Sequence, residues 1–455
     1  MDPPRSVAAA RAAFDDGRTR DRAWRAHQLE GLIELTDAHE SAIATALRDD
    51  LGKPRAEALT TEAWLVRGEA RRATGALTRW MRPRSVPTPL SLFPGRSRIV
   101  PEPRGVALIM GAWNYPFLLT LSPLIGALSA GCAAVVKPSE LAPATANLLA
   151  DLLPRYLDDE AVQIVQGDAD AAQRLLEARF DIILYTGGGR VGRLVMTAAA
   201  RHLTPVILEL GGKSPALIHD SADIRQATRR IAWGKILNAG QTCLAPDYAL
   251  VPRRLMDAFL DTWREAVREF LGPDAATSAD YGRILNDRHV ERLGGYLREG
   301  RIALGGRVDA AVRFIEPTVL VDVPPTARVM QEEIFGPILP LIPYDTWDEA
   351  LAFVRARDKP LAAYAFGRDN RALDLVERTI SAGAFCGNDV IVQQTVPGLP
   401  FGGVGASGMG AYHGRAGFDA FSHAKAVLRR PARLDSGMRF PPYSETTLRR
   451  LRSFF

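Results

Sequence analysis

Two short segments carry residues able to do covalent chemistry. Asn238-Ala-Gly-Gln-Thr-Cys243 breaks a helical run at glycine and delivers a cysteine, and Glu209-Leu-Gly-Gly-Lys-Ser-Pro215 ends an apolar strand in a carboxylate and two glycines. A cysteine attacks as its thiolate, and a glutamate of tuned pKa serves as a general base. The pair therefore reads as nucleophile and base, against the plain alternative that a lone cysteine is a small buried residue. A third segment, Gly187-Gly-Gly-Arg-Val-Gly192, satisfies G-x-G-x-x-G with an apolar strand before it and a helical run after it. A dinucleotide pyrophosphate needs that context: a turn tight enough for backbone N–H groups to face it at a helix N-terminus. The fingerprint also asks for an acidic residue about 20 positions on, to hold a ribose. Glu209 lies near that distance, but Glu140, just after Lys137, and Glu333 compete for the same task, and spacing does not choose among them. Gly403-Val-Gly-Ala-Ser-Gly408 repeats the pattern with prolines before it and no clear helix after, and reads as a tight irregular loop.

The elements that must position these residues follow from periodicity. Residues 5 to 80 are rich in Ala, Leu and Arg, with Leu29, Leu32, Ile33 and Leu35 at helical spacing. Pro83, Pro87, Pro89, Pro94, Pro101 and Pro103 then crowd one segment, which excludes a helix and suits an extended arm or edge strand, or else a linker. From residue 105 short apolar runs alternate with helical ones: Val106–Met110, Ala133–Val136, Val162–Val165, Ile182–Tyr185 and Val206–Leu210 are the runs. Five strands separated by helices predict a parallel, doubly wound sheet, whose ligands sit outside the carboxyl ends of the strands. Those ends carry Trp113-Asn114, Lys137-Pro-Ser-Glu140, Gln166-Gly167, Thr186-Gly187 and Glu209, which is a binding edge. A second α/β stretch follows, with strands expected at Tyr248–Val251, Thr318–Val321 and Ile338–Ile342.

Composition narrows the classes. At 455 residues the chain exceeds one ordinary core and predicts two or three domains. The net charge of +5 is small for this length and the arginines are scattered, so no nucleic-acid footprint is present. Cys132, Cys243 and Cys386 are too few and too far apart for a disulfide framework or a zinc site, and no histidine spacing suggests another metal. Cys132 and Cys386 read as packing residues. With no apolar leader and no run of about eighteen apolar residues, a cytoplasmic protein without an integral membrane segment is expected.

Leu208-Glu-Leu-Gly-Gly-Lys-Ser-Pro215, Gly240-Gln-Thr-Cys243, Glu332-Glu-Ile-Phe-Gly-Pro337 and Asn114-Tyr-Pro116 together resemble the aldehyde dehydrogenase superfamily. Ala199-Ala-Arg-His-Leu-Thr-Pro205, Arg230-Ile-Ala-Trp-Gly-Lys235, Ala245-Pro-Asp-Tyr248 and Gly410-Ala-Tyr-His-Gly414 place the resemblance nearest its class 3-like branch, which includes fatty and coniferyl aldehyde dehydrogenases, over residues 5 to 445. The resemblance implies an α/β fold in three parts. These are a Rossmann-type cofactor domain (1–80 and 103–208), an α/β catalytic domain (209–410) and a small β oligomerisation arm (81–102 and 411–435) of a homodimer, before a tail, 436–455. It implies Cys243 as nucleophile towards an aldehyde, the Cys243 N–H and the Asn114 amide as oxyanion donors, and Glu209 as the base that activates the water ending the cycle. For NAD or NADP it implies Lys137 and Glu140 at the adenosine ribose, Glu333 at the nicotinamide ribose and Phe335 beside the nicotinamide. Trp113, Thr186, the loop Gly187, Gly188, Gly189, Arg190, Val191 and Gly192, and Leu210 complete the cofactor set. One departure stands out: the family usually shows Gly-Ser-Thr where this chain has Gly187-Gly188-Gly189, so a hydroxyl at position 188 is missing. Arg190 itself reads as a solvated arginine at a helix start in preference to a ligand of a 2′-phosphate.

The expected activity is NAD(P)⁺-dependent oxidation of medium-chain aliphatic or aromatic aldehydes to carboxylates. Two rivals stay open on the residues: a cofactor-independent cysteine esterase or thioesterase using Cys243 and Glu209, and an inactive structural relative. Relatives in the branch continue into a membrane anchor where this chain has the basic, partly apolar run from Pro441 to Phe455. Anchoring is not expected here, and weak surface contact is left open.

Overall fold

The computed structural model describes residues 3–432 and 440–452. Its centre is a six-stranded sheet in the spatial order Gly408–Met409, Val206–Glu209, Ile182–Thr186, Val106–Met110, Ala133–Lys137, Val162–Ile164. All neighbours are parallel except the first pair. The five parallel strands are the five apolar runs of the sequence, and each is buried on both faces, as continuous hydrophobic runs require. Their order reverses between Val106–Met110 and Ile182–Thr186, so the crevice beyond Met110 and Thr186 is the topological switch point. The helix Leu118–Ala130 is apolar all round and every residue in it is buried, as expected of a helix enclosed by other elements. The N-terminal helices Arg22–Ala38 and Trp64–Met81 pack on each other and on this helix.

The strand Gly408–Met409 departs from the sequence expectation of a merely irregular loop over Gly403–Gly408: the last residue of that loop pairs with Glu209. A Cβ at Gly408 would strike the Leu208 carbonyl, so glycine alone lets the two backbones approach. Glu209 is consequently held between Thr186 and Gly408.

A seven-stranded sheet forms the second layer system, in the order Arg301–Leu304, Thr318–Val321, Ile338–Tyr344, Tyr248–Pro252, Pro215–Ile218, Ala362–Phe366, Ala384–Gly387. Only its first pair is antiparallel. The proline-rich segment supplies two strands of a third, antiparallel sheet: Arg96–Pro103 lies between Arg84–Val86 and Ser422–Arg429. Pro101 and Pro103 fall beyond the reach of Arg84–Val86, where the strand has one neighbour, so neither removes a hydrogen bond from a central ladder. Of the C-terminal tail, Glu445–Arg452 is helical, while residues 433–439 and the apolar Phe454 and Phe455 lie outside the described residues. No described helix is long and apolar enough to cross a membrane.

Candidate active site

Cys243 sits beyond the helix Ile224–Ile236, after a turn in which Asn238, Ala239 and Gly240 all adopt left-handed backbone (φ 52°, 51° and 74°). Such a turn costs about 1–2 kcal/mol for each residue that is not glycine, so it needs external bonds to persist. It has them. The Asn238 N–H donates to Glu57 (2.9 Å), and its side-chain amide donates to the carbonyls of Asn114 (2.8 Å) and Gln241 (3.1 Å). The Gln241 side chain donates to the Arg283 carbonyl and accepts from the Leu285 N–H, each at 2.9 Å. A Cβ on Gly240 would collide with the Gly336 carbonyl, so the turn is wedged against the segment that carries Glu333 and Phe335.

Around Cys243 lies a cavity of about 260 Å³ lined by Trp113, Asn114, Glu209, Leu210, Glu333 and Phe335, together with Thr186, Gly187 and Gly188. The structure therefore brings Cys243, Glu209 and Asn114 together from three separate elements. Asn114 lies in the loop after Val106–Met110, and one N–H of its carboxamide donates to the Gln241 carbonyl at 3.1 Å, while the other has no partner among the described residues. Glu209 is 2% exposed and neither carboxyl oxygen has a hydrogen-bond partner among the described residues. Burial alone pushes its pKa well above the ordinary glutamate range. Cys243 keeps some surface open to the cavity although it lies deep in the protein. Burial first, then the Glu333 and Glu209 charges, push its thiol up, while its own N–H and that of Leu244 act the other way. Glu333 is raised to about 8 by burial and by Asp247. Burial thus disfavours charge throughout the pocket, on both carboxyls and on the sulfur.

This cavity adjoins a larger one of about 760 Å³ at the switch point, with Ala112, Trp113, Thr186, Gly187 and Gly188 lining both. Lys137 and Glu140 line the larger cavity and form an ion pair at 2.9 Å, with Lys137 buried and Glu140 exposed; Arg190 and Val191 line it as well. The helix Gly189–Ala200 starts beside it with Gly188 as its N-cap, which offers no side-chain acceptor; the Val191 N–H bonds the Gly188 carbonyl, and those of Gly189 and Arg190 have no partner among the described residues and remain available to an anion. Gly189 and Gly192 line neither cavity. A Cβ on Gly192 would stand 2.8 Å from the Leu210 side chain, so that glycine serves the close packing of helix on strand. Position 188 is open: a Cβ placed there would meet nothing within 4 Å. Of the three competing carboxylates, Glu140 lies in the large cavity and Glu209 and Glu333 in the small one.

Three residues of the helix Asp287–Tyr296 escaped the sequence reading. His289 and Arg292 line the small cavity and Arg288 the large one. His289 packs on Trp113 (5.3 Å between ring centres), which meets Phe335 edge-on at 5.2 Å. Burial and then the neighbouring arginines lower the His289 pKa to about 4. Arg292 donates to the carbonyls of Glu333 (3.4 Å) and Ile334 (2.9 Å), fixing the strip that presents Glu333. The available signal was the helical spacing of Arg288, His289 and Arg292 after the cap Asn286.

A family model described as "Aldehyde dehydrogenase family" matches residues 2–427. Aldehyde dehydrogenase family 3 member A2 of Mus musculus is 48% identical, over 97% of this chain and 92% of that protein. A dimeric NADP-preferring aldehyde dehydrogenase of Canis lupus familiaris is 44% identical, over 96% and 97%. Among solved structures, one titled as the substrate-bound state of Staphylococcus aureus AldH superposes with a TM-score of 0.97 at 41% identity, covering 99% of each chain.

Proposed function

The chain belongs to the aldehyde dehydrogenase family and oxidises aldehydes with NAD or NADP, and we propose that the small cavity is its catalytic centre, with Cys243 as nucleophile. The supporting observation is that Cys243, Asn114 and Glu209 line one cavity that adjoins the switch-point crevice and shares Trp113, Thr186, Gly187 and Gly188 with it. The two adjoining cavities fit a dinucleotide: Thr186 Oγ1, lining both, and Glu333 Oε1, lining the small one, are buried polar atoms without partners among the described residues, and a helix start without a side-chain cap lies beside the large one. Lys137 and Glu140 would hold the adenosine ribose, Gly187 to Val191 the phosphates, Glu333 the nicotinamide ribose, and Trp113 and Phe335 would flank the ring. The chemistry that the bound nicotinamide supplies is acceptance of one hydride.

In this reading Cys243 releases its thiol proton to solvent and attacks the aldehyde carbon as the thiolate, and the carbonyl oxygen gathers negative charge. The free N–H of the Asn114 carboxamide and the Cys243 N–H receive that charge; each such donor is worth about a hundredfold or more in rate. After loss of hydride the substrate carbon is a thioester on Cys243. Glu209, once ionised, takes a proton from the water that attacks this thioester and releases the carboxylate. Its burial makes it a stronger base than an exposed glutamate.

Medium-chain aliphatic or aromatic aldehydes are the substrates proposed. Leu119, Leu361 and Phe401 line the small cavity, and Leu361 and Phe401 also line a further cavity of about 160 Å³ with Leu244, Phe385 and Leu399, an apolar route away from Cys243. A homodimer is proposed through the three-stranded arm, where Leu90 and Phe93 are 82% and 73% exposed; the domain boundaries are those given above, and the location is cytoplasmic. Formation of reduced cofactor from octanal or benzaldehyde tests the reading. Ester hydrolysis unaffected by nucleotide, with no reduced cofactor formed, would favour the esterase instead.

A further inference from the structure

Directly beneath the catalytic loop lies a charged pair that the chemistry above does not use. Lys53 and Glu62 have no solvent exposure and form an ion pair at 2.5 Å. Removing two charges from water is repaid only when further hydrogen bonds satisfy them, so their other partners matter. Glu62 belongs to the π turn Leu59–Ala63, which interrupts the helical run from Arg55 to Met81; such turns concentrate at functional sites. Its second oxygen accepts from the N–H groups of Phe117 (2.9 Å) and Leu118 (3.1 Å), the start of the helix Leu118–Ala130, where no side chain of that helix caps. Lys53 donates to the main-chain carbonyl of Asn114 (3.3 Å), and its ammonium stands 4.1 Å over the Tyr115 ring. The pair therefore grips both ends of the segment Asn114–Leu118. From Tyr115 the connection continues: its hydroxyl bonds Thr242 Oγ1 at 2.7 Å, and Thr242 immediately precedes Cys243. The Asn114 carbonyl is gripped a second time by Asn238 from the cysteine turn.

We propose that the Lys53–Glu62 pair is a positioning device that holds the Asn114 carboxamide in register with Cys243, so that donor and nucleophile meet the same substrate carbonyl. Neither side chain touches substrate; both act through Asn114, and the inference rests on the reading of Asn114 as an oxyanion donor. A pair that merely anchored the N-terminal helices would influence stability without a selective effect on kcat. A positioning pair influences kcat through one identified neighbour, because displacing a catalytic group by an ångström costs far more in rate than in binding.

The test is a double-mutant cycle on the full chain with octanal and NAD⁺. Glu62→Gln keeps the side chain's shape and an acceptor for the helix start while removing the charge. It is expected to lower kcat by about tenfold or more with KM and NADH binding, read by fluorescence titration, unchanged. Asn114→Ala is expected to lower kcat by about a hundredfold, and Glu62→Gln added to it should cost little more. Lys53→Met/Glu62→Gln removes both charges; it is expected to recover thermal stability without recovering kcat, and it replaces the single variant if that one does not fold. Fully multiplicative losses in the cycle, or a kcat that recovers together with stability, would overturn the proposal. An unchanged kcat in Glu62→Gln beside an impaired Asn114→Ala overturns the proposal alone, whereas an unchanged kcat in Asn114→Ala overturns the donor reading and the proposal with it.

Discussion

Replacing Glu209 by glutamine separates two consequences of one buried carboxyl. The side chain is 2% exposed, has no hydrogen-bond partner among the described residues, and carries a pKa raised well above its ordinary value by burial. For catalysis, loss of the base leaves attack by Cys243 and the first hydride transfer intact but slows hydrolysis of the thioester. Rapid mixing with octanal and NAD⁺ should therefore show a burst of reduced cofactor near one equivalent per subunit, then a steady rate lower by about 10²–10⁴. For stability, the folded state binds this proton more tightly than the unfolded chain does. Between the ordinary glutamate value of 4.5 and the raised folded value, the wild-type protein consequently loses about 1.4 kcal/mol per pH unit on this account. Glutamine does not titrate, so the melting temperature of Glu209→Gln should gain on that of the wild type as pH rises above the ordinary glutamate value of 4.5. A first turnover slowed as much as the steady rate, with no acyl group accumulating, would remove Glu209 from the deacylation step. A melting difference that ignores pH would show that the carboxyl is already ionised in the fold and that the burial argument is wrong.

Three further changes have defined outcomes. Gly188→Ser fits, because a Cβ there meets nothing within 4 Å; a restored hydroxyl should tighten NADH binding by about tenfold in a fluorescence titration, and unchanged affinity would mean that the phosphates do not pass position 188. Glu333→Gln removes the charge that, after burial, most opposes the Cys243 thiolate. The rate of Cys243 alkylation should then rise at lower pH than in the wild type, most visibly above about 8, where Glu333 is ionised; coincident profiles would refute that coupling. Gly240→Ala places a Cβ against the Gly336 carbonyl at φ 74° and should cost more than about 1 kcal/mol of stability in chemical denaturation, with a fall in kcat; a neutral result would mean the turn before Cys243 is not wedged there.

Much of the cofactor half was legible because its signals are local. Each parallel strand is a continuous apolar run, buried on both faces, and residues after four of the five runs line the two cavities, whereas Gln166 and Gly167 line neither. The glycines of Gly187–Gly192 also lie between a strand and a helix, where their use is readable. What sequence reading missed depends on packing between distant elements. His289 and Arg292 reach the pocket from a helix whose spacing signals only an amphipathic surface. Lys53 lies in the short connection between the helices Glu40–Leu51 and Arg55–Ala58 and Glu62 in the π turn Leu59–Ala63, places where charged residues ordinarily face water, and nothing local marks them as fully buried. The two-residue strand Gly408–Met409 is too short to show alternation, and it exists because Glu209 and Gly408 can approach closely. The spacing rule did not choose among Glu140, Glu209 and Glu333; the family resemblance supplied their separate roles, and the cavities separate only Glu140 from the other two.

The central claim is that Cys243 carries the substrate through the reaction. Cys243→Ala, incubated with aldehyde and NAD⁺, is predicted to form no reduced cofactor by ultraviolet absorbance while binding NADH with wild-type affinity, and the Glu209→Gln protein quenched in the burst is predicted to carry its acyl group on the Cys243 peptide. Continued turnover by Cys243→Ala, or an acyl group on any other residue, would contradict the account.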